Sequence, residues 1–125
     1  MTVLIDSWAW VEYFKGSTQG GKAKDYVEGT EDAVISAVNL AEVYRWFLKF
    51  YGETQAEDGR VTITMRCILI QVDEEIAVEA AKIRHSREKG LGDSIILATA
   101  KNADAKVVTG DPELKEEPEV IYIGK

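Results

Sequence analysis

The sequence predicts an α/β domain with a mainly parallel sheet, and three observations carry that prediction. Five short apolar or β-branched runs recur along the chain, at Thr2–Ile5, Ala33–Ser36, Ile68–Val72, Lys106–Thr109 and Val120–Ile123. Several are apolar at nearly every position instead of alternating, as strands covered on both faces are in parallel sheets. Segments of helical character separate these runs, with no internal repeat and no low-complexity linker between them.

In chain order, the first strand leads into a helix over Ser7–Phe14 and a second over Lys22–Glu28, joined through Gly16–Gly21. The second strand is followed by an aromatic-rich helix over Leu40–Tyr51. The region Gly52–Arg66 is ambiguous: a weak helical pattern within Thr54–Arg66 competes with Val61, Thr62, Ile63 and Thr64, which favour strand. Helices over Glu74–Lys89 and Ser94–Asn102, joined through Lys89–Gly92, separate the third strand from the fourth, and a short turn or helix follows Pro112. At 125 residues the chain is expected to form one domain over 1–125.

Composition excludes several classes. Hydrophobic residues at 46% and charged residues at 30% are inconsistent with a disordered chain. No apolar run approaches the ~20 residues of a membrane helix, and Asp6 interrupts the opening apolar run before it reaches the length of a secretory h-region. A lone cysteine, Cys67, makes no internal disulfide, so a cytoplasmic location is expected. The net charge of −7 argues against tight non-specific nucleic-acid binding, which needs basic residues against phosphates. The objection weakens if some of the acids hold a cation that reverses the local field.

Ligands of open α/β sheets bind at the carboxyl ends of the strands. Asp6 directly follows the first strand, Asp111 follows the fourth one residue after Gly110, and Glu42 falls in the first turn of the helix after the second strand. Each has a purely structural reading as well. Asp6, Asp93 and Asp111 are placed as helix N-caps, the last followed by Pro112, and Asn39 and Glu42 have capping-box spacing. Glu42 also forms a polar stripe with Arg45 and Lys49. Because two helices separate the third and fourth strands, alternation alone does not place Asp93. Nor does it exclude Asp73, which follows the third strand as Asp6 follows the first.

Four segments together resemble the motifs of PIN domains. They are Val3-Leu4-Ile5-Asp6-Ser7, Asn39-Leu40-Ala41-Glu42-Val43, the run from Gly90-Leu91-Gly92-Asp93-Ser94 through Ala100, and Val107-Val108-Thr109-Gly110-Asp111. They occur in family order across the chain, and the layout is similar to that of the VapC toxins. The resemblance implies a sheet of strand order 3-2-1-4-5, which brings Asp6 and Asp111 together at the centre, adds Asp93 from a helix N-terminus and leaves Asp73 at the sheet edge. It further implies a magnesium-dependent endoribonuclease, the toxin of a VapBC-type pair, that cleaves RNA phosphodiesters with a metal-activated water. The metal and catalytic residues would be Asp6, Glu42, Asp93 and Asp111, and Mn2+ would substitute for Mg2+. The implied partners are RNA, a VapB-like antitoxin and a second copy of the chain in a homodimer, with no membrane.

The residue types suit that chemistry. Phosphodiester cleavage needs an activated water and a stabiliser for charge building on the phosphate, and Mg2+, which prefers hard oxygen ligands, supplies both. In this reading Asp6 and Asp93 are the nearest ligands, and Asp111 completes the site or orients a water. Glu42 holds a second cation or serves as general base. Ser7 and Thr109, flanking the acids, are read as helix caps. The single histidine, His85, makes neither a zinc site nor an acid–base pair and is read as a surface residue. The aromatics Trp8, Trp10, Tyr13, Phe14, Tyr44, Trp46, Phe47, Phe50 and Tyr51 are read mostly as core. Trp8, Trp10, Trp46 and Phe50 among them are candidate receivers for a partner. The scattered bases Lys15, Lys22, Lys24, Arg45 and Lys49 are available to RNA phosphates. Walker, nucleophile-elbow and dinucleotide motifs are absent. The alternatives are a metal-dependent phosphatase or receiver domain and an inactive PIN-like interaction module. A receiver wants an acidic pair after its first strand, where Asp6 stands alone.

Overall fold

Val3 and Ile5 belong to one core and Leu4 to another, and all three are fully buried. Ala33 and Ile35 are divided from Val34 in the same way, and Val108 from Val107. Side chains alternate along a strand, so a run that is apolar throughout needs cover on both faces. The computed structural model, which describes residues 1–125, provides that cover as two layers of helix.

The elements are β1 (Thr2–Ile5), α1 (Ser7–Lys15), α2 (Gly20–Val27), β2 (Asp32–Ser36), α3 (Ala37–Phe50), α4 (Glu53–Arg66), β3 (Ile68–Ile70), α5 (Glu74–Arg87), α6 (Leu91–Asn102), β4 (Ala105–Thr109), a 3-10 turn at Pro112–Leu114 and β5 (Val120–Tyr122). The sheet has five strands in the order β3-β2-β1-β4-β5, and every neighbouring pair is parallel. Fold class and strand order are therefore those the sequence and its family resemblance predict. One core packs α1 to α4 on the sheet through Trp10, Ala23, Val43, Phe47 and Ile63. The other packs α5 and α6 through Ile76, Ile83, Ile96 and Leu97. β3 and β5 are shorter than their apolar runs; each lies at a sheet edge with one hydrogen-bonded neighbour. No helix is long and apolar enough to cross a membrane.

The ambiguous segment is a helix throughout. Ala56, Gly59 and Ile63 form its buried face, at a spacing only a helix brings to one side. The Thr62 and Thr64 hydroxyls donate to the carbonyls of Asp58 and Arg60 one turn back. Packing thus overrides the strand preference of these residues. At Gly59 an added Cβ would overlap the Phe47 ring, so the glycine sets how closely α3 and α4 approach. Alanine in a helix normally stabilises by about 1 kcal/mol over glycine. Here Gly59→Ala is expected to destabilise by about 1–3 kcal/mol through overpacking. Urea denaturation checks this, and a stabilised variant would contradict the packing described.

Two helix starts correct the sequence reading. The cap of α3 is Ser36, whose Oγ accepts from Val38 N at 3.1 Å, while Asn39 Oδ1 accepts from Ser36 N at 3.3 Å. Asn39 is therefore inside the helix, and Glu42 lies beyond its first turn. The cap position of α6 is Gly90, whose carbonyl accepts from both Ser94 N (2.9 Å) and Ser94 Oγ (2.8 Å). Asp93 is thus the third residue of α6 and no cap, so its carboxylate is free for other partners.

Candidate active site

Asp6 directly follows the central strand, and its amide donates to Val108 O at 3.1 Å, fixing it beside β4. It is 4% exposed, and its side chain makes no capping hydrogen bond to α1. Instead Oδ2 accepts from Thr109 Oγ1 at 2.7 Å and Oδ1 accepts from Asn39 Nδ2 at 2.9 Å. The same Asn39 amide group donates to Ser7 Oγ at 2.9 Å, and Ser7 Oγ donates to Glu42 Oε1 at 2.5 Å. Thr109 Oγ1 in turn accepts from Asp111 N at 3.1 Å. Ser7 and Thr109 are therefore not helix caps: they orient the acids. Asn39, fully buried, is a member of this network that the sequence reading took only as a helix cap. Its signal was a polar side chain inside Ala-Val-Asn-Leu-Ala, which the capping explanation absorbed.

A second group of acids stands beside this network. Asp93, Asp111 and Glu113 each place a carboxylate oxygen within 4.8 Å of the others. Asp111 does cap the 3-10 turn as expected, Oδ1 accepting from Glu113 N at 3.0 Å with Pro112 at the first turn position. One carboxylate thus both caps the turn and belongs to the acidic group. Glu113 was missed because it follows the strand end at one remove, on the turn that Asp111 caps. Asp6 and Glu42 lie outside this tightest trio and are joined to each other through Ser7 and Asn39. Asp73 is apart from both groups, capping α5 by accepting from Ile76 N at 2.8 Å.

Burial raises Asp93 above the ordinary aspartate range, the charges of Asp111, Asp6 and Glu113 raise it further, and Lys89 opposes them. Burial likewise raises Asp6, with Glu42 adding to the shift and the Thr109 hydroxyl working against it. A group whose folded pKa exceeds its unfolded value stabilises the fold while protonated, and that stability is lost as pH rises through the folded pKa. The metal-free protein is therefore expected to gain stability as pH falls from 7 toward the ordinary aspartate value of about 3.9. Glu57, Glu79 and Glu119, lowered by Arg60, Lys101 and Arg87 respectively, limit the gain at still lower pH. Melting curves in EDTA across pH 4–8 check this; a flat wild-type profile, or a gain that persists undiminished in Asp93→Asn, would contradict the shift.

The donor set suits a hard divalent cation. Every candidate ligand is a carboxylate oxygen, and the crowding that raises Asp93 is what a bound cation would relieve. The carboxyl edge of β1 and β4 thus gathers acids from four separate stretches of sequence.

A sequence profile of the PIN domain matches residues 3–119. The chain belongs to the PIN-domain family. No curated protein sequence matches it significantly. Among solved structures, this PIN domain is similar to a toxin–antitoxin complex from Klebsiella pneumoniae, with TM-score 0.82, 22% identity and 98% of each chain covered. It is also similar to VapBC2 of Rickettsia felis bound to promoter DNA, with TM-score 0.76, 19% identity, and 98% of this chain and 97% of the other covered. A third is VapC20 of Mycobacterium tuberculosis, a toxin that cleaves the sarcin–ricin loop, with TM-score 0.76, 15% identity, and 93% and 95% covered.

Away from the acids, the PIN fold sorts the aromatic residues. Trp10 is fully buried and cannot receive a partner, contrary to the expectation for it. Trp8 and Trp46 are partly buried against the core, whereas Phe50 (59%) and Tyr51 (55%) are exposed at the end of α3. A pocket of ≈ 290 Å³ opens beside them, lined by Phe14, Trp46, Phe47, Tyr51 and Gly59 among others. His85 is exposed, as expected.

Proposed function

We propose that this PIN protein is a divalent-metal-dependent endoribonuclease and the toxin of a VapBC-type pair. The observation that carries the reading is the crowd of carboxylates at one sheet rim, in which Asp93 is pushed up by burial and by Asp111, Asp6 and Glu113. Acids kept together at that cost are consistent with a cation site.

Asp6, Asp93 and Asp111 would hold Mg2+ or Mn2+, with Glu113 as an additional ligand and Glu42 beside them. When bound, the cation supplies Lewis acidity for phosphodiester hydrolysis and offsets charge building on the phosphate. The protein's own part is orientation and proton transfer. Thr109 and Asn39 fix the plane of the Asp6 carboxylate. Ser7 occupies Glu42 Oε1, leaving Oε2 to take the proton of the attacking water as the P–O bond to the leaving oxygen breaks.

Purified protein incubated with structured and single-stranded RNA tests the reading. Cleavage is expected in Mg2+ or Mn2+ and none in EDTA. Cleavage that survives EDTA would remove the metal from the proposal, and no cleavage with any divalent ion would remove the nuclease.

The partner proposal is an antitoxin whose tail brings a cationic side chain to the acids and apolar side chains to the Phe14–Tyr51 pocket. The net charge of −7 favours a basic segment, and arginine pairs with carboxylates bidentately. The similar Klebsiella and Rickettsia proteins were solved as toxin–antitoxin assemblies. Light scattering on the purified chain tests the homodimer, and co-expression with the adjacent small reading frame tests the antitoxin. A monomer that the neighbouring product neither binds nor inhibits would leave a free-standing PIN nuclease.

A further inference from the structure

Asp93 and the Asp111–Glu113 turn repel each other, yet no backbone hydrogen bond joins the segment before α6 to the segment after β4. Two cations at the end of α5 make the connection instead. Arg87 Nη1 donates to Glu117 Oε1 (2.9 Å) and Glu119 Oε2 (3.0 Å), and Nη2 donates to Glu119 Oε1 at 3.0 Å. Lys89 Nζ donates to the Glu113 carbonyl at 2.5 Å and pairs with Glu117 Oε2 at 3.4 Å. Between them Glu88, at φ 56, takes the left-handed conformation that ends the helix. These groups are mostly shielded, with side-chain exposures of 30% for Arg87, 22% for Lys89 and 11% and 15% for Glu117 and Glu119.

We propose that Arg87 and Lys89 are positioning residues that clamp the Asp111–Glu113 turn against Asp93 and thereby set the metal affinity of the site. The proposal rests on the metal-nuclease reading. It makes a prediction opposite in sign to the simple electrostatic one. If Lys89 acted only as a positive charge near Asp93, removing it would strengthen cation binding. As part of a clamp, its removal lets the turn drift, and binding weakens. Residues that orient metal ligands typically change affinity by 10–100-fold when mutated.

The experiment is Mn2+ titration followed by electron paramagnetic resonance of the free ion, without RNA, on the full chain and its Lys89→Ala, Arg87→Ala and Lys89→Arg variants, with melting in EDTA alongside. Expected are dissociation constants raised about tenfold in the two alanine variants, and restored to near wild type in Lys89→Arg, which can still donate to the Glu113 carbonyl. If Arg87→Ala fails to fold because it strands two carboxylates, Arg87→Lys replaces it, with a smaller loss expected. Unchanged or tighter Mn2+ binding in Lys89→Ala overturns the clamp while leaving the metal site intact. A wild-type protein that binds no Mn2+ overturns the metal reading and the clamp with it.

Discussion

Asp6→Asn, Asp93→Asn and Asp111→Asn are each expected to lower single-turnover RNA cleavage by on the order of a thousandfold, Glu42→Gln nearly as much, and Asp73→Asn hardly at all. The contrast with Asp73 is informative because Asp111 and Asp73 both cap a helical turn, so loss of a cap alone does not separate them. Losing a cap costs about 1 kcal/mol of stability, which leaves each variant folded. Asp93→Asn relieves a half-buried, repelled charge and should melt no lower than wild type in EDTA. Asp6→Asn is less benign: its new amide must face either the Thr109 hydroxyl or the Asn39 amide, both of which donate to it now. A dead Asp73→Asn beside an active Asp93→Asn would overturn the assignment.

Saturating Mg2+ should raise the melting temperature substantially. A ligand that binds only the folded state at a hundred times its dissociation constant stabilises by about 2.7 kcal/mol, roughly 10 °C for a chain of this size. The shift should disappear in EDTA and shrink strongly in Asp6→Asn and Asp93→Asn. The wild-type chain and Asp93→Asn should therefore differ in opposite senses, wild type being the less stable without metal and the more stable with it. Differential scanning fluorimetry against Mg2+ concentration measures this, and equal shifts in wild type and both variants would place the bound ion elsewhere.

Much of this molecule was legible in its residues, and the failures have physical causes. The continuous apolar character of Val3-Leu4-Ile5 and Val107-Val108 announced central strands covered on both faces, and both runs sit at the middle of the sheet. Strand order was not in the pattern of the residues; it came through the resemblance of four motifs, because alternation cannot say which way two consecutive helices turn. The α4 segment was hidden because a buried glycine and two back-bonded threonines fit a helix only once Phe47 is beside them. Among the candidate acids, Asp6, Glu42 and Asp111 stood out by position, whereas Asp93 came through the resemblance. Glu113 and Asn39 did not stand out, since the one is brought to the acids by the 3-10 turn and the other by a helix start three residues earlier than expected.

The hydrogen bonds running from Glu42 through Ser7 and Asn39 to Asp6, and on through Thr109 to the Asp111 amide, have a mechanical consequence. They divide the acids into a fixed jaw and an adjustable one. Asp6 is held by short, buried, directional bonds that salt cannot screen. Asp93 and Glu113 face each other across two segments connected through the long, part-shielded side chains of Arg87 and Lys89. A change in the spacing of the acids would therefore be taken up on that side, by displacement of the turn and without disturbing Asp6.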